Sequence, residues 1–403
     1  MAITSTIFMA APGAFTTALA SKLDKVDCSQ VLSAVLMADR AILGHIKMGP
    51  ECRSLEFNWI EDELNSATFT GRSLTSTTVL FNDFTGSATA AMIIRKGALI
   101  ATRDSARASA NEAVLKVTSV VDETEALTAA YGSAIHTSTS VTCTWFVISQ
   151  PYGDSSDASD DISRARTKRF NFPQIFERAI EISQTRKGMD MEAVTDELQY
   201  QIKNRTLEIK RELNMTVLMG LPYRVTNFNA DLDVHTMMGI CQMIRDPDMD
   251  GTKEDTTVTN AAAAALTVAH INALLYKIWD AGGLDEIADP IIVVGANQQR
   301  VISGMEKDIR RVEQGERQVG YYRDLFLSDM GIELPIVLDR WMQADKLVVL
   351  DRSRVALRAF AGDAWHMEKM AKTGRSEKWQ LSGQYGLELR NADACHGMLI
   401  QLA

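Results

Sequence analysis

Cysteine, proline and positive charge are all scarce in this chain of 403 residues. The five cysteines (Cys28, Cys52, Cys143, Cys241, Cys395) are odd in number, scattered and without a C-x-x-C pair. That argues against a disulfide framework or a structural zinc centre and predicts reduced, buried thiols. The six histidines (His45, His136, His235, His270, His366, His396) show no H-x-x-x-H or H-E-x-x-H spacing, so no catalytic metal is expected. His366 and His396 read instead as satisfied core or interface residues. Lys and Arg number 42 against 52 Asp and Glu, a net charge of −10. Tight sequence-independent binding to nucleic acid needs cations that neutralise phosphates, and this balance argues against it. No uninterrupted apolar run reaches the length of about 18 residues that a bilayer requires. No Lys or Arg precedes Lys22, so the N-terminus lacks the charged start of a secretory signal. A soluble, unexported chain is expected.

What the chain does have is apolar content of 46% with 23% charge, a globular composition, and enough length for two or three subdomains. Its strongest periodic signal runs from Met191 to Met219. Val194, Leu198, Ile202, Ile209, Leu213 and Val217 recur at four- and seven-residue spacings, one stripe of a 3.6-residue helix. Asp190 is the expected N-cap with Glu192 in the first turn, and Gly220 followed by Pro222 marks the stop. Such a helix is about 43 Å long. Burying the six stripe residues stabilises it by about 10 kcal/mol at most.

Residues 1–53 hold one helical segment, about Cys28 to Lys47, and otherwise read as an arm. From Leu55 to about Ile148 the chain is dense in Thr, Ser, Val and Gly. Strands are expected at Thr77–Phe81, Ala91–Ile94, Val114–Val121 and Val141–Val147, with turns at Gly86, Gly97 and Gly132, together a small β-barrel or sandwich. Residues 151–162, PYGDSSDASDDI, form an acidic hinge followed by Arg164, Arg166, Lys168 and Arg169. That basic cluster is either a solvated face or a partner for acidic surface on another subunit. Beyond Leu221 the pattern becomes mixed. A helix from the Ala261–Ala265 run to about Asp280 stops at Gly282-Gly283, Ile291–Val294 is a buried strand, and a helix covers about Asn297 to Arg311. Strands follow at Ile336–Leu338, Leu347–Leu350, Trp379–Leu381, Gly386–Leu389 and Met398–Leu402.

Motifs that carry chemistry fit poorly. Asp246, Asp248, Asp250 and Gly251 open like a calcium loop, but Thr257 stands where a bidentate Glu belongs, so a polar turn is the better reading. Lys372-Thr373-Gly374 has no S-x-x-K partner upstream. Gly295 lies between a strand and a helix, yet there is no G-x-G-x-x-G and no Walker Lys. No catalytic, cofactor or metal residue is expected. Glu306–Phe326 carries five charges of each sign, which suits a solvated helix or a head-to-tail contact between copies.

The order arm, β excursion, long helix, α/β module and return to sheet resembles the tailed-phage major capsid proteins of the Hong Kong 97 fold. Arg169-Phe170-Asn171-Phe172-Pro173-Gln174-Ile175-Phe176 is similar to an element before the spine helix in a subfamily with an enlarged extended loop. Met370–Trp379 and Leu387-Glu388-Leu389-Arg390-Asn391 resemble that subfamily's A-K-T-G-D-S and L-E-x-x-N signatures, and Trp59 with Asp62 resembles its early W-x-x-D. Arg375 stands where Asp is usual and Gln384 where Glu is usual. The resemblance implies an α+β fold divided as an arm (1–53), an extended loop with a β insertion (54–170), a peripheral domain with a spine helix over 190–219 (171–235), an axial domain (236–350) and a peripheral return (351–403). It implies a structural protein with no enzymatic activity and no cofactor, a homo-oligomer of pentamers and hexamers forming an icosahedral virion shell. That shell encloses double-stranded DNA without sequence-specific binding, touches no membrane, works with portal, scaffold or cement proteins and is assembled in the bacterial host cytoplasm. An encapsulin-type cellular compartment shell shares this fold, and a soluble metal-binding enzyme is the remaining alternative.

Overall fold

The computed structural model describes residues 42–62, 68–75, 78–83, 94, 96–102, 114–120, 125–130, 143–152, 154, 166–188, 196–223, 234–247, 257–305, 309–311, 324–372 and 374–403. In chain order the first elements are a 3-10 turn at Ile42–Gly44, β1 (Lys47–Met48) and β2 (Phe57–Glu61). Then come β3 (Thr68–Thr75), β4 (Thr78–Asp83), β5 (Leu99–Thr102), β6 (Val114–Val120), β7 (Glu125–Ala130), β8 (Cys143–Ser149) and β9 (Thr167–Asn171). The middle of the chain is β10 (Gln174–Ser183), α1 (Gln184–Lys187), α2 (Glu197–Met219), α3 (Ile240–Arg245), β11 (Val258–Asn260) and α4 (Val268–Asp280). It is followed by β12 (Pro290–Val294), α5 (Ala296–Gly304), β13 (Ile309–Arg311), β14 (Asp324–Leu327) and β15 (Glu333–Leu338). The last elements are β16 (Leu347–Asp351), β17 (Val355–Ala359), β18 (His366–Lys369), β19 (Ser376–Leu389) and β20 (Gly397–Ile400).

The described residues form two compact units, one from Asn58 to Arg169 and one made of the segments up to Phe57 and from Phe170. The first unit holds a closed six-stranded barrel, β3-β4-β7-β6-β5-β8, the barrel alternative of the two expected from its strand pattern. Trp145, Ile100, Leu115 and Val117 are fully buried in that unit. Gly97 turns with a positive φ of 95°, as its position between short runs predicts. Of the expected strand at Ala91–Ile94, residues 91–93 lie outside the described residues, as do Gly86 and Gly132.

In the second unit, a five-stranded sheet runs β1-β17-β19-β10, with β18 also paired to β19. Two sequence-expected C-terminal strands are in fact one, because β19 runs unbroken for 14 residues and pairs with β10 from Gln174↔Tyr385 to Ser183↔Ser376. Phe176, Ile180 and Ile182 alternate with exposed Ile175, Glu177, Ala179 and Glu181, the period of a strand buried on one face. That buried face meets α2, where Arg178 is bonded to Glu212. A seven-stranded sheet, β11-β20-β16-β12-β15-β14-β13, is mixed parallel and antiparallel. Ile271, Leu274, Leu275 and Ile278 of α4 pack on Ile292, Val294, Leu347, Val349 and Leu399 to make its core.

Several expectations change here. The long helix starts at Glu197, not near residue 190, because the Asp196 carboxylate accepts the amides of Leu198 and Gln199. Residues 189–195 lie outside the described residues. At 23 residues it is about 34 Å long, and of the described stripe residues Ile209, Leu213 and Val217 are buried while Leu198 and Ile202 are half-buried, which brings the burial term down to about 5 kcal/mol. Gly220 stops it without a left-handed cap: its φ is −56°, and a Cβ there would lie 2.3 Å from the Met237 carbonyl oxygen. Ala261–Ala265 is not helical; the amides of Ala261 and Ala263 bond to Ile400 and Gln401 in a turn just past β11, with φ of 50° at Ala262 and 62° at Ala263, and α4 begins only after its cap Thr267. The helix expected to reach Arg311 ends at Gly304, since Ile309–Arg311 pairs with β14. The helix expected over Cys28–Lys47 gives way, in its described part, to the turn at Ile42 and to β1, which adds in parallel to β17.

Candidate functional site

For a chain read as a structural subunit, the functional side chains are those that fix its frame, and the structure buries four polar joints. The first is Asn171, at the β9–β10 turn and fully buried. Its Nδ2 donates to the carbonyls of Met238 (3.2 Å) and Leu387 (2.7 Å), while its Oδ1 accepts the amides of Phe172 (2.8 Å) and Met238 (3.0 Å). Gln174 Oε1 accepts the amide of Met237 at 3.1 Å. The F-N-F-P-Q stretch thus ties β10, the strand-like lead into α3, and β19 with one amide whose donors and acceptor are all used. Asn171→Ala is expected to destabilise the unit by about 3 kcal/mol, because it strands buried carbonyls and amides. The urea midpoint of the isolated subunit measures this; an unchanged midpoint would remove the joint from the account.

The second joint is Asp339, fully buried, after β15. Its Oδ2 accepts the amide of Ile42 at 3.1 Å and Asn214 Nδ2 at 2.9 Å, and its Oδ1 accepts the amide of Trp341 at 2.9 Å. Asn214 Oδ1 in turn accepts the Leu43 amide at 3.4 Å. One carboxylate therefore gathers the first described residues, the C-terminal turns of α2 and the seven-stranded sheet.

The third joint is the L-E-L-R stretch of β19. Leu387 and Leu389 point into the core, and Glu388, on the other face and 1% exposed, accepts from Arg358 Nη1 at 2.9 Å and from Arg390 Nε. Arg358 also lies 5.2 Å from the Phe57 ring centroid and donates to the Pro50 carbonyl. Gly386 leaves the space that this ring fills, since a Cβ would sit 2.3 Å from it.

The fourth joint is Asp351 with His396. Asp351 accepts the amides of Asp289 and Ser353, the Ser353 hydroxyl and Arg354 Nε. Burial alone would push its carboxyl up; these donors outweigh burial and hold it below the usual value. His396 accepts the Asp351 amide at Nδ1 (3.1 Å) and donates from Nε2 to the Arg390 carbonyl (3.2 Å), so its neutral form is fully satisfied. Burial pushes it down to about 4, with Asp351 opposing only in part.

Two of these four joints were visible in sequence as motif residues, and two were not. Asp339 and Asn214 belong to no motif, and His396 reads in sequence only as a satisfied core or interface residue, with nothing to name Asp351 as its partner. In the other unit, Glu61, not Asp62, is the buried carboxylate: it accepts from Trp59 Nε1 (2.8 Å) and Arg169 Nε (3.3 Å), while Asp62 pairs in the open with Arg166.

The remaining candidates show no reaction chemistry. Asp246 closes α3 and is buried, while residues 248–256 of the calcium-like loop lie outside the described residues. Lys372 and Gly374 are exposed between β18 and β19, and Thr373 lies outside the described residues. Gly295 caps α5, and a Cβ on it would be 2.9 Å from the Met342 carbonyl oxygen, so backbone occupies the room a phosphate cradle needs. Most of the charged stretch 306–326 lies outside the described residues. Asp363, His366 and Ser382 do stand in line, at 3.4 Å and 3.1 Å. His366 Nδ1 also bonds the Ala364 carbonyl, and Ser382 is paired on both sides within the sheet, which leaves its amide no freedom to form an oxyanion hole. Cys52, Cys241 and Cys395 are buried free thiols, and burial pushes Cys241 and Cys395 up to about 11. No described helix is long and apolar enough to cross a membrane.

Comparison with known proteins points one way. The chain is 21% identical over 281 residues to the major capsid protein of Escherichia phage Phieco32, covering 59% of this chain and 77% of that one. Its fold is similar to the capsid asymmetric unit of Cyanophage A-1(L), with a TM-score of 0.56 at 11% identity over 96% of this chain and 99% of the other. It is similar as well to the capsid of an empty GTA particle, with a TM-score of 0.53 at 10% identity over 97% and 100% of the two chains. These likenesses establish the Hong Kong 97-like α+β fold. The sequence model of one family matches residues 11–403, through both compact units, and the chain belongs to the SU10 major capsid protein family.

Proposed function

We propose that this major capsid protein self-assembles into pentamers and hexamers that close as the icosahedral head around a double-stranded DNA genome. The observation that carries this is the family match running unbroken across residues 11–403. In this reading residues 1–53 are the arm and 54–170 the extended loop with its barrel. Residues 171–235 and most of 351–403 build the peripheral domain on the five-stranded sheet, and 236–350 form the axial domain. Gly397–Ile400 returns to the seven-stranded sheet. Heterologous contacts that close into rings suit a subunit with many modest surfaces, because each docked neighbour raises the effective concentration of the next. The net charge of −10 supports a wall that holds DNA without adhering to it. Portal, scaffold or cement proteins complete the head, and assembly takes place in the bacterial cytoplasm.

The test is expression of the chain alone, then with a scaffold, followed by size-exclusion chromatography and negative-stain microscopy. Shells, tubes or rings of five and six are expected. A chain that stays a compact monomer under both conditions overturns the proposal, and particles that hold a cargo enzyme and no DNA transfer it to a cellular compartment.

A further inference from the structure

One end of the five-stranded sheet carries a concentration of positive charge that the chain as a whole does not. Arg186 and Lys187 of α1, Lys369 at the end of β18, Lys372 and Arg375 in the turn that follows, and Lys378 of β19 lie there together. The Gln184 amide bonds to the Arg375 carbonyl, and the Met370 amide to that of Lys378. Three carboxylates share the site. Glu377 sits 3.3 Å from Lys187 and 3.4 Å from Lys369, and Glu181 is 3.4 Å from Lys378. The Ser376 hydroxyl first, and Lys378 after it, hold the Glu181 carboxyl low; Lys187 and then Lys369 do the same for Glu377. With Glu368, that is six cations against three anions, an excess of three. Arg186, Lys372 and Arg375 are exposed and form no ion pair among the described residues. Met367 and Met370, 44% and 46% exposed, add apolar surface beside them.

The sequence holds the complement. Between Lys116 and Arg164 there are 47 residues without a single Lys or Arg, and they carry seven carboxylates: Asp122, Glu123, Glu125, Asp154, Asp157, Asp160 and Asp161. A net −7 of the chain's −10 lies in that stretch, and four of the seven fall within residues 154–161. Copies of a protein with net charge −10 repel one another unless opposite charges are brought together locally. We propose that the basic sheet end of one subunit docks the acidic segment 154–161 of a second copy. This rests on the reading of the chain as a self-assembling shell subunit. DNA is the weaker partner for this surface: three free cations neutralise few phosphates, whereas segment 154–161, with four carboxylates, is enough to neutralise them and accompanies every neighbouring subunit.

Two charge-reversed chains test it. One carries Arg186→Glu, Lys372→Glu and Arg375→Glu; the other carries Asp154→Lys, Asp157→Lys, Asp160→Lys and Asp161→Lys. Arg186, Lys372, Arg375 and Asp154 are exposed, residues 157, 160 and 161 lie outside the described residues, and circular dichroism melts of each subunit check that folding is unchanged. Each variant alone is expected to lose about tenfold or more of its sedimenting assemblies at low salt. An equimolar mixture recovers them, since the reversed sheet end of one variant then meets the reversed segment of the other, and the unreversed sheet end meets the unreversed segment. Two folded variants that assemble like wild type, or that fail and stay unassembled when mixed, overturn the docking. If the first variant builds normal empty shells and loses only DNA retention, the surface belongs to nucleic acid and the proposal is wrong. Wild-type protein that never assembles overturns the shell reading itself, a separate result.

Discussion

Asp339→Ala is expected to lower the unfolding free energy of the subunit by about 4 kcal/mol and to loosen the chain around Ile42. The carboxylate takes hydrogen bonds from three donors, the buried Ile42 amide and Asn214 side chain and the half-buried Trp341 amide. Bonds to a charged acceptor are worth more than neutral ones, and alanine leaves all three donors without it. Asp339→Asn keeps one carbonyl but turns an NH2 toward donors, so it should fall between wild type and alanine. The urea midpoint gives the stability change. Tryptic cleavage after Lys47, an exposed residue in a strand held against β17, reports the loosening. A variant with the wild-type midpoint and the wild-type cleavage rate would show that Asp339 is not what holds these segments together.

Acid should find the weak point at His396. Its folded value of about 4 lies below its ordinary 6.5, so the folded state favours the neutral ring. The resulting stability is complete above pH 6.5 and is lost as the pH falls toward 4, a total of about 3 kcal/mol. Asp351 is also held low and shifts in the same sense, but its share is lost only below the ordinary carboxylate range. His396→Gln can accept the Asp351 amide and donate to the Arg390 carbonyl without titrating. Its urea midpoint should stay flat between pH 6.5 and 4.5 while that of wild type declines. Parallel slopes for the two proteins would place the acid sensitivity elsewhere.

What the sequence made legible was chiefly local. The α2 stripe, the Ile291–Val294 strand and the barrel strands were readable because apolar spacing and turn residues lie within a few positions of each other. Ala261–Ala265 shows the opposite case. Its intrinsic preference is the most helical in the chain, yet hydrogen bonds to Ile400 and Gln401 hold it in a turn with positive φ at Ala262 and Ala263, and nothing nearby in sequence announces them. Asn171 was readable as a motif position, though its work, bridging to Met238 and Leu387, was not. Asp339 was invisible for the same reason: its partner Ile42 is 297 residues away, and an isolated Asp followed by Arg and Trp looks like surface.

The long pairing of β10 with β19 also sets an order of events during synthesis. Gln174 waits for Tyr385, and Ser183 for Ser376, so the apolar face of β10 has no sheet neighbour until more than 190 further residues have been made. The barrel strands emerge earlier and pair with one another, the widest pairing being Thr68 with Phe146. The five-stranded sheet, and with it the basic end formed by α1, β18 and β19, therefore closes late, followed only by entry of β20 into the seven-stranded sheet. Chains that stop before β19 lack that surface, and under the docking proposed above they could not join a growing shell.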